Sequence, residues 1–335
     1  MSELNSIVLK ILSNGKGILA ADESTATMTK RLDTVNVKST PKNRLAFRRT
    51  LFSSSSMSNC IGGVILYDET IKQKITDNTN VSSMIESANS VPGIKVDTGA
   101  KVLAGSTEEK ITEGLDGLRE RLKEYYKLGA RFTKWRGVYN ITKKYPSKLA
   151  INSNAHALAR YSALVQECGM VPIVEPEVLM DGDHTAQDCL IKTSEVIQKC
   201  FEELILHKID LTGVILKPNM ILAGASSNNK LSGSEVAKMT VECLKSSVPA
   251  EVPGIAFLSG GQTEIEATEN LNLINKENKT DFIMSFSYGR ALQQSALKHW
   301  SKDINDIKGT QKIFNHRAKM NTLAAQGKWS KELEN

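Results

Sequence analysis

Apolar and polar positions alternate along this chain in one repeated pattern. A short apolar run ends in polar residues, and a longer stretch with helical spacing follows; this happens eight times, at residues 17–22, 61–67, 93–97, 131–136, 171–177, 213–217, 254–259 and 281–287. The starts are mostly about 30 to 45 residues apart, the length of a strand, a helix and a return loop. Short β-branched runs bounded by Gly or Pro predict strands buried on both faces. The stretches between them predict helices at residues 155–167, 185–207, 234–244 and 264–273. The second of these carries Leu190, Ile191, Val196, Ile197, Phe201, Leu204 and Ile205 at helical spacing. For the first, Ser153 or Asn154 offers an N-cap.

Eight strand-helix units predict an α/β fold, a closed (β/α)8 TIM barrel. A doubly wound open sheet is the competing fold, but Asp22-Glu23-Ser24-Thr25 follows the first strand where that fold usually carries Gly-x-Gly-x-x-Gly. The whole chain, 1–335, reads as one barrel domain. Residues 1–16 predict a short amphipathic helix, with Ile7, Val8, Ile11 and Leu12 covering one end. Residues 300–335 form a basic, weakly patterned extension, expected to be a solvated terminal helix or arm.

The chemistry concentrates where the strands end, which in such barrels is the active-site face. Lys217 is the most informative position. It ends the apolar run Thr212-Gly213-Val214-Ile215-Leu216 and is followed at once by Pro218. A buried ammonium is costly unless paired, and a desolvated lysine tends to lose its proton and become a nucleophile toward carbonyls. The bland alternative is a strand-end lysine reaching out to solvent. Its expected neighbours argue against that. Lys134 and Arg136 lie two apart on strand four, and Glu175 and Glu177 two apart on strand five, so each pair shares a face. Lys134 would disfavour a second proton nearby, and Glu175 could shuttle one. Asp22 closes strand one. Ser24 is the better cap for the next helix, which frees Asp22 for proton transfer.

Two glycine-containing ends, Ser259-Gly260-Gly261-Gln262 and Ser287-Tyr288-Gly289-Arg290, follow strands seven and eight. Backbone N–H groups there can approach an anion, and these loops are the usual phosphate site of a barrel. Arg290 adds a forked donor. A second basic set, Lys95, Lys134 and Arg136 with Ser24 and Thr27 nearby, could hold a second phosphate. A carbonyl-bearing substrate with two phosphates follows.

Composition narrows the classes. Hydrophobic residues make up 40% of the 335, enough for a large core, while aromatics are only 5%. The net charge of +6 is dispersed, which suits anionic small molecules and not nucleic acid. Five cysteines, with no C-x-x-C, point to reduced structural thiols in the cytoplasm. No signal segment and no membrane-length apolar stretch is apparent. The histidines His156, His184, His207, His299 and His316 form no H-x-H or H-E-x-x-H, so neither metal nor any other cofactor is expected. The Asp181-Gly182-Asp183-His184 loop reads as a surface turn.

These motifs, in this order, resemble the class I fructose-bisphosphate aldolases over residues 9–320. The resemblance lies in Gly17-Ile18-Leu19-Ala20-Ala21-Asp22-Glu23-Ser24-Thr25, Cys60-Ile61-Gly62-Gly63-Val64-Ile65-Leu66, Gly93-Ile94-Lys95-Val96-Asp97, Lys134-Trp135-Arg136, Pro172-Ile173-Val174-Glu175-Pro176-Glu177, Leu216-Lys217-Pro218-Asn219-Met220, Leu258-Ser259-Gly260-Gly261-Gln262 and Ser287-Tyr288-Gly289-Arg290-Ala291-Leu292. It implies reversible cleavage of fructose 1,6-bisphosphate to dihydroxyacetone phosphate and glyceraldehyde 3-phosphate. It further implies a Schiff base on Lys217, proton transfer by Glu175 and Asp22, and charge near the imine from Lys134, with Glu177 orienting the network. The C1 phosphate would fall to Ser259, Gly260, Gly261, Ser287, Gly289 and Arg290, and the far end of the sugar to Lys95, Arg136, Ser24, Thr27 and Arg31. A homotetramer is implied too.

The chain departs from that family in two places. Many members close a C-terminal tyrosine over the site, whereas Tyr288 is the last tyrosine here. Protonation of the enamine is therefore expected to use water, Glu175 or another group. Ala26-Thr27 stands where glycine and serine are common, and Thr27 keeps the hydroxyl. The alternatives are another Schiff-base barrel acting on a different phosphorylated ketose such as sedoheptulose bisphosphate, or a non-catalytic scaffold of the same fold.

Overall fold

In the computed structural model, which describes residues 2–335, eight parallel strands close into a barrel. They are β1 (Gly17–Ala20), β2 (Ile61–Leu66), β3 (Val91–Lys95), β4 (Phe132–Tyr139), β5 (Val171–Val178), β6 (Ile215–Leu216), β7 (Gly254–Phe257) and β8 (Ile283–Tyr288). Each strand pairs with its sequence neighbours, and Ile18↔Ser287 and Leu19↔Tyr288 close the ring. The eight predicted runs are these eight strands. The fold is a (β/α)8 TIM barrel.

Alternation along each strand sorts side chains into two shells. Ile18, Ala20, Ile65, Val91, Phe132, Val171, Ile173, Ile215 and Ala256 fill the barrel interior. Leu19, Val64, Ile94, Trp135, Val174, Leu216, Ile255 and Met284 point outward into the layer of helices. Two-residue spacing then decides the polar positions. Lys134 and Arg136 share the face of Phe132, Glu175 and Glu177 that of Ile173, and Lys217 that of Ile215. The interior is apolar at the bottom and charged at the C-terminal mouth.

The bottom is closed by the helix Glu3–Leu12, capped by Ser2, whose Oγ accepts from the Asn5 N–H at 3.2 Å. Val8, Ile11 and Leu12 enter the barrel interior, each contributing about 1.5–3 kcal/mol by burial. Gly62 lets this helix approach: a Cβ there would fall 1.8 Å from the Ile11 carbonyl oxygen.

β6 is shorter than its apolar run, because residues 211–213 form a 3-10 turn. Its register nevertheless continues one residue further, since the Lys217 N–H donates to the Val174 carbonyl at 2.8 Å. Pro218 has no N–H to donate, although its carbonyl still accepts from the Leu258 N–H at 3.1 Å.

Several elements differ from expectation. The helix expected from residue 155 is Lys148–Glu167, capped by Ser147. Ser147 is held by Glu109, which accepts from its N–H at 2.7 Å. Glu109 belongs to an antiparallel ribbon, Gly99–Leu103 with Ser106–Glu113, that hydrophobic patterning did not predict. The C-terminal stretch is not a solvated arm. Its helix Ile307–Ala325 buries Phe314, Ala318, Met320 and Ala324 against the helices Glu264–Glu277 and Arg290–Trp300. Trp329 is buried as well, its ring N–H donating to Glu334 at 2.8 Å. In the 181–184 loop, Asp181 and Asp183 are exposed but His184 is buried, and burial lowers its pKa below the ordinary histidine value. All five cysteines are unpaired, and four are buried. Among the described residues, no helix is long and apolar enough to cross a membrane.

Candidate active site

The strand ends deliver their polar residues into one cavity of about 240 Å³ at the C-terminal mouth. Asp22, Ser24, Thr27, Arg31, Lys95, Lys134, Arg136, Glu175, Glu177, Lys217, Ser259, Gly260, Ser287, Gly289 and Arg290 all line it. Gly261 does not. It lines the neighbouring groove beside Met180 and Gln262, turned there by its positive φ of 75°.

Four charges form a chain at the floor. Lys217 Nζ lies 3.0 Å from Glu175 Oε1. Lys134 Nζ lies 3.2 Å from Glu175 Oε2, an ion pair outside hydrogen-bonding geometry, and 2.8 Å from Asp22 Oδ2. Lys217, Lys134 and Glu175 are each 5% exposed or less, so water screens these pairs poorly. Burial alone would push the Asp22 and Glu175 carboxyls up. The Lys134 and Lys217 charges outweigh it, holding Asp22 far below and Glu175 below the ordinary carboxylate range. Burial also works against the Lys134 ammonium, but Asp22 and Glu175 keep it well above the usual lysine value. Lys134 is therefore a fixed cation between two carboxylates.

Glu177 behaves differently. Burial pushes its carboxyl up, the Arg136 charge only partly offsetting this, and Glu175 adds to the rise. Arg136 Nη1 donates to Glu177 Oε2 at 2.8 Å. Lys95 pairs with Asp97 at 3.1 Å. Ser24 caps the helix Thr25–Asp33, accepting from the Thr27 N–H at 3.3 Å, and Asp22 is left to face Lys134.

The opposite wall suits an anion. The Ser287 hydroxyl is buried and has no hydrogen-bond partner among the described residues, so it is free for a ligand. Gly289 precedes the first turn of the helix Arg290–Trp300, whose leading N–H groups lack helical partners. A Cβ on Gly289 would lie 3.5 Å from Arg31 Nη2, so Arg31 borders this wall too. A Cβ on Gly260 would come 3.3 Å from Glu177 Oε1.

Sequence reasoning missed the residues that hold this wall. Glu23 is buried and ion-paired with Arg31 and, at 3.4 Å, with Arg48. Arg48 donates to the Glu23 carbonyl at 2.8 Å and to Thr70 Oγ1 at 2.7 Å. Gln293 donates to the Ala20 carbonyl at 2.8 Å. The backbone on both sides of Asp22 is thus pinned. Asp97 also lines the cavity, and its spacing of two from Lys95 was the available signal.

A barrel whose mouth holds a buried lysine between carboxylates, facing anion-binding loops, defines a lysine-centred enzyme of phosphorylated carbonyl compounds. Comparison with known proteins makes the class specific. The family model for fructose-bisphosphate aldolase class-I matches residues 3–335. A probable fructose-bisphosphate aldolase class 1 of Xanthomonas campestris is 49% identical over 98% of this chain and 99% of its own. The cytosolic fructose-bisphosphate aldolase 6 of Arabidopsis thaliana is 49% identical over 93% and 87%. The Plasmodium falciparum aldolase, solved with TRAP and a small-molecule inhibitor, superposes with a TM-score of 0.96 at 42% identity, covering 98% of this chain and 95% of that one. The chain belongs to the class I fructose-bisphosphate aldolase family.

Proposed function

We propose that this chain reversibly cleaves fructose 1,6-bisphosphate to dihydroxyacetone phosphate and glyceraldehyde 3-phosphate through an imine on Lys217, without a metal. The observation that carries this reading is Lys217 facing Glu175 at 3.0 Å in a buried, family-matched mouth. Glu175, 3.0 Å away, takes a proton from Lys217, whose free amine then attacks C2 of the ketose; Glu175 returns the proton as the carbinolamine loses water. The Asp22 and Glu175 carboxylates together handle the proton of the C4 hydroxyl. C4 becomes the aldehyde as the C3–C4 bond breaks, and its electron pair flows into the protonated imine to give an enamine. Glyceraldehyde 3-phosphate leaves. Protonation at C3, from Glu175 or water, gives back the imine, and addition of water to it releases dihydroxyacetone phosphate and free Lys217, the C4 hydroxyl proton having passed through the carboxylates to C3 or to solvent.

Lys134 keeps both carboxylates ionised and adds positive charge beside the imine. Glu177 orients Arg136 through their 2.8 Å contact. Ser259, Gly260, Ser287, Gly289 and Arg290 suit the C1 phosphate, and Lys95, Arg136, Ser24 and Thr27 the other. Arg31, on the same helix as Thr27, comes beside Gly289 and so adjoins the C1-phosphate set. The Gly261 position is less suited to the phosphate than its neighbours, because it faces the adjoining groove. A homotetramer acting in the cytoplasm is the assembly and location the family resemblance supports. The test is triose phosphate release from fructose 1,6-bisphosphate by chelator-treated protein. Full activity is expected from wild type, with a fall of at least about 10⁴-fold in Lys217→Ala. Loss of wild-type activity on chelation, or an active Lys217→Ala, would refute the reading.

A further inference from the structure

Away from the barrel mouth, two adjacent helices bring three metal-competent side chains together. His156 stands on Lys148–Glu167; Glu203 lies in the last turn of Ala186–Leu206, and His207 caps its end. One ligand atom from each lies within 4.8 Å of the other two. His156 Nδ1 is 3.2 Å from Glu203 Oε2, and His207 Nδ1 is 3.9 Å from the same oxygen. Two ligands on tetrahedral zinc sit about 3.4 Å apart, given bonds near 2.0–2.1 Å. The His156–Glu203 edge already has about that length, and the His207 ring stands beside the same carboxylate oxygen.

The hydrogen bonding fits ligation. His207 Nδ1 lies 2.8 Å from the Glu203 carbonyl oxygen. A carbonyl only accepts, so Nδ1 carries the hydrogen, and in the neutral ring the Nε2 lone pair is left for a ligand. Metal-bound histidines are commonly oriented in this way by a backbone carbonyl. Lys199 contacts Glu203 Oε1 at 3.2 Å, which leaves Oε2 toward the histidines. The Glu203 and His207 side chains are 13% and 21% exposed and His156 is 53% exposed, so an ion could enter from solvent and keep a water ligand.

We propose that His156, Glu203 and His207 bind a borderline divalent transition ion, zinc being the matching probe. The ion would staple the helix that follows β4 to the helix that follows β5. Two imidazoles and one carboxylate suit zinc, nickel or copper, not magnesium or calcium. The site lies outside the aldol chemistry and supplies none of its steps.

Calorimetric titration of zinc into metal-stripped full-length protein, in a non-chelating buffer, tests this. Wild type should take up one saturable equivalent. His156→Ala, Glu203→Gln and His207→Ala should each weaken it at least about tenfold. Zinc should also raise the melting temperature of wild type more than that of His156→Ala. His156 is solvent-facing, so its variant keeps the test valid even if His207→Ala folds poorly; metal-free melting and aldol cleavage report its integrity. No saturable uptake by wild type, or uptake unchanged in His156→Ala, would overturn the proposal.

Discussion

Lys217 enters the barrel because Ile215 does: with Leu216 facing the helices, a two-residue period leaves no other direction. The same period brings Glu175 and Lys134 beside it, and among the described residues Glu175 is the one carboxylate in contact with both lysines. Glu175→Gln keeps the shape while removing the base and the charge between two cations. Its kcat for fructose 1,6-bisphosphate should fall about 10²- to 10⁴-fold, measured by coupled triose phosphate release, with urea unfolding confirming a folded protein. Turnover equal to wild type would show that Glu175 moves no proton. Asp22, Glu175 and Lys217 were legible in the sequence because each ends a strand in the wrong chemistry for a core. Glu23 and Arg48 were not, since what they do depends on partners the chain brings together only when folded.

The elements show where patterning carries information and where it fails. Eight strands could be read because a barrel strand is apolar on both faces and stops abruptly. The ribbon at 99–113 escaped because its residues are mostly exposed and alternate weakly. The C-terminal helix was misjudged because its buried face is partly alanine, Ala318 and Ala324, set among lysines. The His156–Glu203–His207 cluster was invisible because the ligands come from two helices. The N-terminal helix was legible, and its seat is specific. Gly62→Ala should push the Ile11 carbonyl away and destabilise the protein by about 1–3 kcal/mol, read as a lower urea midpoint. An unchanged midpoint would mean that the helix does not press on Gly62.

Across the whole molecule, buried carboxylates couple stability to pH. Asp22 and Glu175 titrate below their ordinary values in the fold, because Lys134 and Lys217 outweigh the burial that would raise them. Such groups stabilise the folded state above their unfolded values, near about 4, and that contribution is lost as pH falls through the lower folded values. The stability gap between wild type and Asp22→Asn should therefore be level from about pH 6 to 8 and shrink below about pH 4. Urea unfolding at each pH measures it; a gap unmoved by acid would contradict the ion-pair chain. What the barrel assembles from eight strands is a buried nucleophile in a charged mouth. Reduction with borohydride in the presence of dihydroxyacetone phosphate, followed by intact mass and peptide mapping, tests that most directly. A single adduct on Lys217 is expected; no adduct, or one on another lysine, would show that the nucleophile lies elsewhere.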